Sequence, residues 1–249
     1  MVKIYLSPST QPRNIFFNKK NNEEQVMNLV TDAIVSFLKN YQVEVIRGSK
    51  SETTYDRIKK ANELAVDYYL AIHSNAGGGN GCETYYQSGK DKTAVVKAKS
   101  KIYAEKINRD FSLITTTNRR TNDRGAKTRT QSDGRDWNHE LRLVNVPANL
   151  IELEFHDNQP GGDWILANIQ KAGETMGKSI VDLFDLKPVA SQTPAPVIPA
   201  DDYFFIQVGA YKTLNEAQAE GAKAARAIGK EVGIKYGSKN ALKWIKSVK

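Results

Sequence analysis

The sequence predicts an α/β domain built on a twisted, mostly parallel sheet with helices on both sides, followed by a small C-terminal α+β module. Three observations carry this. Short β-rich apolar runs alternate with segments of helical period, the pattern of a largely parallel sheet. One buried-type strand, "DYYLAIHSN", runs straight into a glycine-rich turn, "AGGGNG". A segment at 187–200, "KPVASQTPAPVIPA", holds four of the eight prolines and has little to bury, so it reads as a linker. It separates a domain at 1–186 from a module at 201–249.

Each element has its own signal. "VKIYLS" is a strand. "NEEQVMNLVTDAIVSFLKNY" has apolar residues at 26, 27, 29, 30, 34, 35, 37 and 38, a helical period. Asn22 is placed to cap it, with Glu23 and Glu24 in the first turn, near the positive end of the helix dipole. "VEVIRG" is a strand, "SETTYDRIKKANELA" a helix with a Ser/Thr-rich start, and "DYYLAIHSN" and "CETYYQS" are strands. A lysine-rich helix spans about 92–111. "NLIELEFHDN" is the last clear strand of the domain, and "WILANIQKAGETMGKSIVDLF" reads as one closing helix. In the module, "YFFIQVGAYKT" is a strand and turn and "LNEAQAEGAKAARAIGK" a helix. "EVGIKYGS" is a short strand and "ALKWIKSVK" a final helix or tail.

Composition bounds the function. The 249 residues are 40% hydrophobic and 26% charged, a globular balance. The net charge of +8 favours a polyanionic partner such as nucleic acid, an anionic membrane or an anionic cell wall. No recognised nucleic-acid motif is present, and no apolar run is long enough for a membrane helix, so neither partner is expected. The single cysteine, Cys82, excludes an intramolecular disulfide and a cysteine zinc cluster, and reads as a small buried hydrophobe. The N-terminus, "MVKIYLSPS", has no apolar core of a secretory signal.

Three histidines exist: His73, His139 and His156. His73 ends a strand, where open α/β sheets bind ligands. In "NLIELEFHDN", strict alternation puts Leu150, Glu152, Glu154 and His156 on one side and Ile151, Leu153 and Phe155 on the other. Carboxylates inside such a strand need a partner: a cation, an arginine or a metal. Zinc hydrolysis suits this inventory, since it needs nitrogen or carboxylate ligands and a neighbouring carboxylate base.

Here a resemblance becomes specific. "DYYLAIHSNAGGGNGCETYY" resembles the zinc-binding strand and turn of the zinc-dependent N-acetylmuramoyl-L-alanine amidases (the amidase 3 type). "NEEQVMNL" resembles their glutamate-bearing helix start, "DRGAKT" at 123–128 their Arg-Gly substrate loop, and "HELRLVNVPANLIELEFHDN" their closing segment, read as a strand ending in Leu-Arg, a turn and the catalytic strand. The likeness runs from residue 2 to about 185. It implies a Zn2+ cofactor held by Glu24 and His73, Glu152 as general acid/base, and Arg142, Arg124 and Asn75 as substrate contacts, the two arginines being equally readable as structural or surface groups. The implied reaction is hydrolysis of the amide joining N-acetylmuramic acid to the L-alanine of the peptidoglycan stem peptide.

One departure matters. Thr10 stands where the family has a further histidine ligand, and a neutral hydroxyl is a poor zinc ligand. His156, four residues beyond Glu152 on the same expected face, is the natural replacement; Glu154 and His139 are alternatives. A site that has lost its metal would leave an amidase-like wall-binding protein. "YFFIQVGAYKTLNEAQAEGAKA" resembles the start of a SPOR-type repeat, which implies peptidoglycan binding and a possible homodimer through this module. Without an export signal, the expected location is the cytoplasm until release to the wall, as for an endolysin or autolysin, or the wall itself after lysis.

Overall fold

The computed structural model describes residues 1–115 and 123–189, together with the backbone of 232–236 and 241–245. Residues 1–189 form one compact unit. Its strands are β1 (Val2–Pro8), β2 (Val43–Arg47), β3 (Tyr68–Asn75), β4 (Cys82–Tyr86), β5 (Asp123–Lys127) and β6 (Ala148–Phe155). They form a single sheet in the order β2-β1-β3-β6-β4-β5. All neighbouring pairs are parallel except β4 with β6.

The helices are α1 (Glu23–Leu38), α2 (Thr54–Glu63), α3 (Ala94–Ser112), α4 (His139–Leu143), α5 (Gln159–Ala167) and α6 (Ile169–Phe184). On one sheet face Ile4, Leu6, Ile72, Ile151 and Leu153 pack with Met27, Val30 and Ile34 of α1, Ile107 and Phe111 of α3, and Met176 and Ile180 of α6. On the other, Tyr5, Tyr69, Ala71 and Leu150 meet Ile58 and Ala61 of α2 and Leu141 of α4. The alternation of strand side chains therefore feeds two cores, and the predicted helix–sheet–helix layering is the observed one.

Four local expectations change. "HELRL" is the short helix α4 rather than a strand. The Arg-Gly segment is the edge strand β5 rather than a loop. The closing helix is two helices parted at Asn168, whose side-chain amide donates to Trp164 O at 2.8 Å and competes with the helical ladder. In the C-terminal module Ala241–Ile245, read as helix or tail, is a strand paired antiparallel with Val232–Tyr236. The module's strand and helix expected over 201–230, and most of the proline-rich linker, lie outside the described residues.

Beta-strand β6 departs from strict alternation. His73 of β3 pairs with Glu152, but Asn75, two residues on, pairs with Phe155, three residues on. This one-residue bulge reverses the facing of the residues beyond it. His156 consequently stacks on Phe16 of the α1-side core, ring centroids 5.1 Å apart, while Glu152 stays on the side of Leu150.

Close approach of α1 and α6 depends on Gly173. A side chain there would run into Ala33 and come within 2.9 Å of Ile34 N and Val30 O. Overpacking of this kind costs about 1–3 kcal/mol, so Gly173→Val is expected to lower Tm by several degrees without altering the distant sheet face. Thermal unfolding followed by circular dichroism checks this.

Candidate active site

The site begins with the capping of α1. Asn22 accepts from Gln25 N at 2.9 Å, and the Gln25 side chain accepts in return from Asn22 N, a capping box. This fixes Glu23 as the first helical residue. Glu23 lies three, four, seven and eleven residues before Val26, Met27, Val30 and Ile34, so it points inward with them. Glu24, one residue later, is turned about 100° away, and the structure places no side chain of the candidate site against it. Glu23 is buried, with its Oε1 2.8 Å from His73 Nδ1. Of the glutamate pair it is therefore Glu23, and not the expected Glu24, that reaches His73, because the cap sets the helix phase.

His73 is gripped on both edges. Its Nε2 lies 3.0 Å from Glu140 Oε2, and Glu140 Oε1 accepts from Ser7 Oγ and Tyr69 OH, both at 2.7 Å. In the sequence Glu140 reads as an ordinary first-turn charge; only its successor, the apolar Leu141, hints that α4 lies on the core. At Nδ1 a second side chain approaches, Gln11 Nε2 at 3.2 Å. Thr10 instead meets Thr54, Oγ1 to Oγ1 at 2.7 Å. So the side chain from the first motif that reaches His73 is Gln11.

These contacts set the charges. Burial alone would push the His73 pKa down, but hydrogen bonds to Glu140 and Glu23 outweigh it and hold the value well above the ordinary one. Burial likewise works against the charged forms of Glu23 and Glu140, yet their hydrogen bonds with His73 bring both below the usual carboxylate range. The metal-free triad is therefore carboxylate–imidazolium–carboxylate. Linkage gives its window: the carboxylate part is lost as pH falls through the lowered folded values, and the imidazolium part as pH rises through the raised one.

Glu152 lies across from His73 in register. Burial raises its pKa to about 8; His73 opposes the rise, and Glu23, Glu83 and Glu140 add to it. Its Oε2 is shut off from solvent and has no hydrogen-bond partner among the described residues. Glu152 and His73 share a pocket of about 220 Å³ with Thr10, Gln11, Thr54, Asn138, His139, Glu140 and Leu150.

The other expected site residues go elsewhere. His156 is buried, its Nδ1 held 3.0 Å from Ser74 Oγ and 3.1 Å from Ser74 O. It does not line the pocket, because of the bulge. Glu154 accepts from Gly81 N at 2.5 Å and Phe155 N at 3.0 Å, bracing the glycine-rich turn. His139 lines the pocket mouth, with Nδ1 3.2 Å from Tyr55 OH. Arg142 donates from Nη1 to Asp136 O and Trp137 O, each at 3.0 Å, so it braces a loop. Arg124 pairs with buried Glu83 at 2.5 Å and lies over the Phe155 ring. Lys127 joins the same carboxylate at 2.7 Å, and Asn75 donates to it at 2.9 Å.

The donor set suits a divalent cation. Nδ1 of His73 faces a carboxylate that wants a proton on it and an amide N–H that wants a lone pair. His73 and Glu23 would hold such a cation, with Glu140 left to accept the Nε2 proton, the usual partner of a metal-bound histidine. Glu23 Oε1, His73 Nδ1 and the Gln11 side chain are the groups that converge there. Among the described residues no three His, Cys, Asp or Glu side chains do so, since Glu140 holds the opposite edge of the imidazole.

Comparison with known proteins gives the family and the fold. The family model described as N-acetylmuramoyl-L-alanine amidase matches residues 12–182. The amidase CwlM of Bacillus licheniformis and the sporulation-specific N-acetylmuramoyl-L-alanine amidase of Bacillus subtilis strain 168 are each 26% identical, covering 90% of this chain and 81% of theirs. The catalytic domain of CwlV from Bacillus (Paenibacillus) polymyxa var. colistinus superposes with a TM-score of 0.62 at 22% identity, over 75% of this chain and all of that one. Cwp6 from Clostridium difficile gives 0.63 at 24% identity over 73% of this chain, which spans only 29% of Cwp6. Both share the fold.

A folded-state pKa raised above the unfolded one contributes stability that is complete below about 4.5 and lost as pH rises through about 8. Glu152→Gln removes that loss. In chelator-treated protein, the Tm advantage of Glu152→Gln over wild type is expected to widen from about pH 5 to about pH 9; parallel Tm profiles would contradict the assigned burial of charge.

Proposed function

The chain belongs to the N-acetylmuramoyl-L-alanine amidase family, and we propose that it hydrolyses the amide between the lactyl carbonyl of N-acetylmuramic acid and the L-alanine nitrogen of the stem peptide with a Zn2+ ion held by Glu23 and His73. The observation that carries this reading is that His73, whose Nδ1 is held by buried Glu23, lines the same pocket as Glu152, one of whose oxygens has no partner among the described residues.

When bound, zinc would supply Lewis-acid polarisation of the scissile carbonyl and a positive charge that favours the ionised form of Glu152 that a base requires. Glu152 takes a proton from the attacking water as its oxygen bonds to the carbonyl carbon. It then delivers that proton to the alanine nitrogen as the C–N bond breaks, leaving a lactyl carboxylic acid and a free amine. Glu140 fixes the His73 tautomer by accepting from Nε2. Arg124 and Lys127, gathered by Glu83 beside the catalytic strand, offer positive charge to the carboxylates of a stem peptide. The basic C-terminal module suits attachment to an anionic wall.

Removing Glu152 tests the proton role and removing Glu23 tests the metal role. Glu152→Gln is expected to keep zinc and lose about 10²–10⁴-fold in turnover. Glu23→Gln is expected to lose zinc, whereas Glu24→Gln keeps both zinc and activity. Metal content by atomic emission and release of new alanine amino groups from purified walls are the readouts. An active Glu152→Gln or a zinc-free Glu24→Gln contradicts the assignment. Because His73 must give up its Nδ1 proton and Glu152 is driven to its ionised form, zinc uptake near pH 7 is also expected to release between about one and two protons. Titration calorimetry in buffers of different ionisation enthalpy reads this directly.

A further inference from the structure

A second cleft, about 560 Å³ and lined by Gln131, Ser132, Trp137, Asn138 and His139, adjoins the reaction pocket and shares Asn138 and His139 with it. Its aromatic wall is unusual for a surface loop. Trp137 is 50% exposed, while the Arg129 guanidinium covers one face, 4.4 Å from the ring centroid. The other face is left to the cleft. The loop carrying it is tightly built: Trp137 N donates to Arg129 O at 2.8 Å and Gln131 N to Arg135 O at 2.8 Å. Asp136, fully buried, accepts from Ser88 N and Gly89 N. Arg142 clamps the carbonyls of Asp136 and Trp137 from below. An exposed tryptophan held this firmly loses little entropy on binding.

We propose that this cleft is a subsite for the N-acetylglucosamine ring that neighbours the reacting muramic acid on the glycan strand, stacked on Trp137. The proposal rests on the amidase reading above. A hexose presents C–H groups on one face, which suit the electron-rich face of an indole. Gln131, Ser132 and Asn138 supply uncharged donors and acceptors, matching sugar hydroxyls and acetamide groups rather than an ionised peptide. The cations suited to peptide carboxylates, Arg124 and Lys127, are held by Glu83 on β4 and β5, outside this cleft. The scissile amide joins a sugar to a peptide, and the uncharged groups of this cleft and the cations held by Glu83 suit its two halves separately.

The test compares two soluble substrates: a muropeptide bearing its neighbouring N-acetylglucosamine and the same muramoyl peptide stripped of it. With Trp137→Ala, KM for the sugar-bearing substrate is expected to rise about 3–10-fold, with little change in kcat and little effect on the stripped substrate; Trp137→Phe recovers part of the loss. In zinc-loaded full-length protein, a peptide-free chitooligosaccharide is expected to perturb tryptophan emission in wild type and not in Trp137→Phe. Equal KM effects on both substrates, or an effect that follows stem-peptide length, would overturn the sugar assignment. If wild type hydrolysed neither substrate, the amidase reading would fail, and the chitooligosaccharide titration would still decide the cleft.

Discussion

The interaction on which the rest of the site depends is the pair of carboxylates that grip His73. An imidazole buried among Tyr69, Ser7 and the end of β3 is costly to charge. Glu23 and Glu140 make that charge acceptable by closing on both ring nitrogens. They come from opposite sides of the sheet, Glu23 from the first turn of α1 and Glu140 from α4. The imidazole thus ties the two helical layers to the middle of the sheet. The same geometry divides labour between the nitrogens. Nε2 is committed to a carboxylate that is itself held by a serine and a tyrosine, and Nδ1 faces Glu23 and Gln11. A cation held by His73 and Glu23 in place of the Nδ1 proton would leave the Nε2–Glu140 contact in use.

Glu152 shows the cost of the arrangement. A carboxylate shut away with three others nearby is pushed toward its neutral form, and one oxygen is left without a partner. Such a group weakens a fold at alkaline pH, and catalytic sites are where this kind of strain is retained. Its poise between acid and base near neutrality suits the proton transfer proposed for it.

Much of this is legible in the sequence. The alternation of apolar runs gives the layers, and the family likeness points to His73 and Glu152, which the sheet pairs in register. Glu23 is also legible: Val26, Met27, Val30 and Ile34 put it on the buried face, and Asn22 with Gln25 sets the phase. The remainder is not. A bulge in β6 carries no single-residue signature, and it turns His156 into the core beside Phe16. Glu140 reaches His73 only because α4 folds over β3, a contact 67 residues distant in sequence. Both Thr10 and Gln11 line the pocket, but Gln11 is the one that reaches His73 while the Thr10 hydroxyl meets Thr54, a pairing between the segment after β1 and α2 that no local pattern shows.

The most direct measurement is the zinc coordination shell of the loaded protein, by X-ray absorption or crystallography. His73 through Nδ1 and Glu23 are the expected ligands, with Glu140 on the far nitrogen and His156 still against Ser74. Zinc bound by His156, by Glu24, or through Nε2 of His73 would contradict the central assignment.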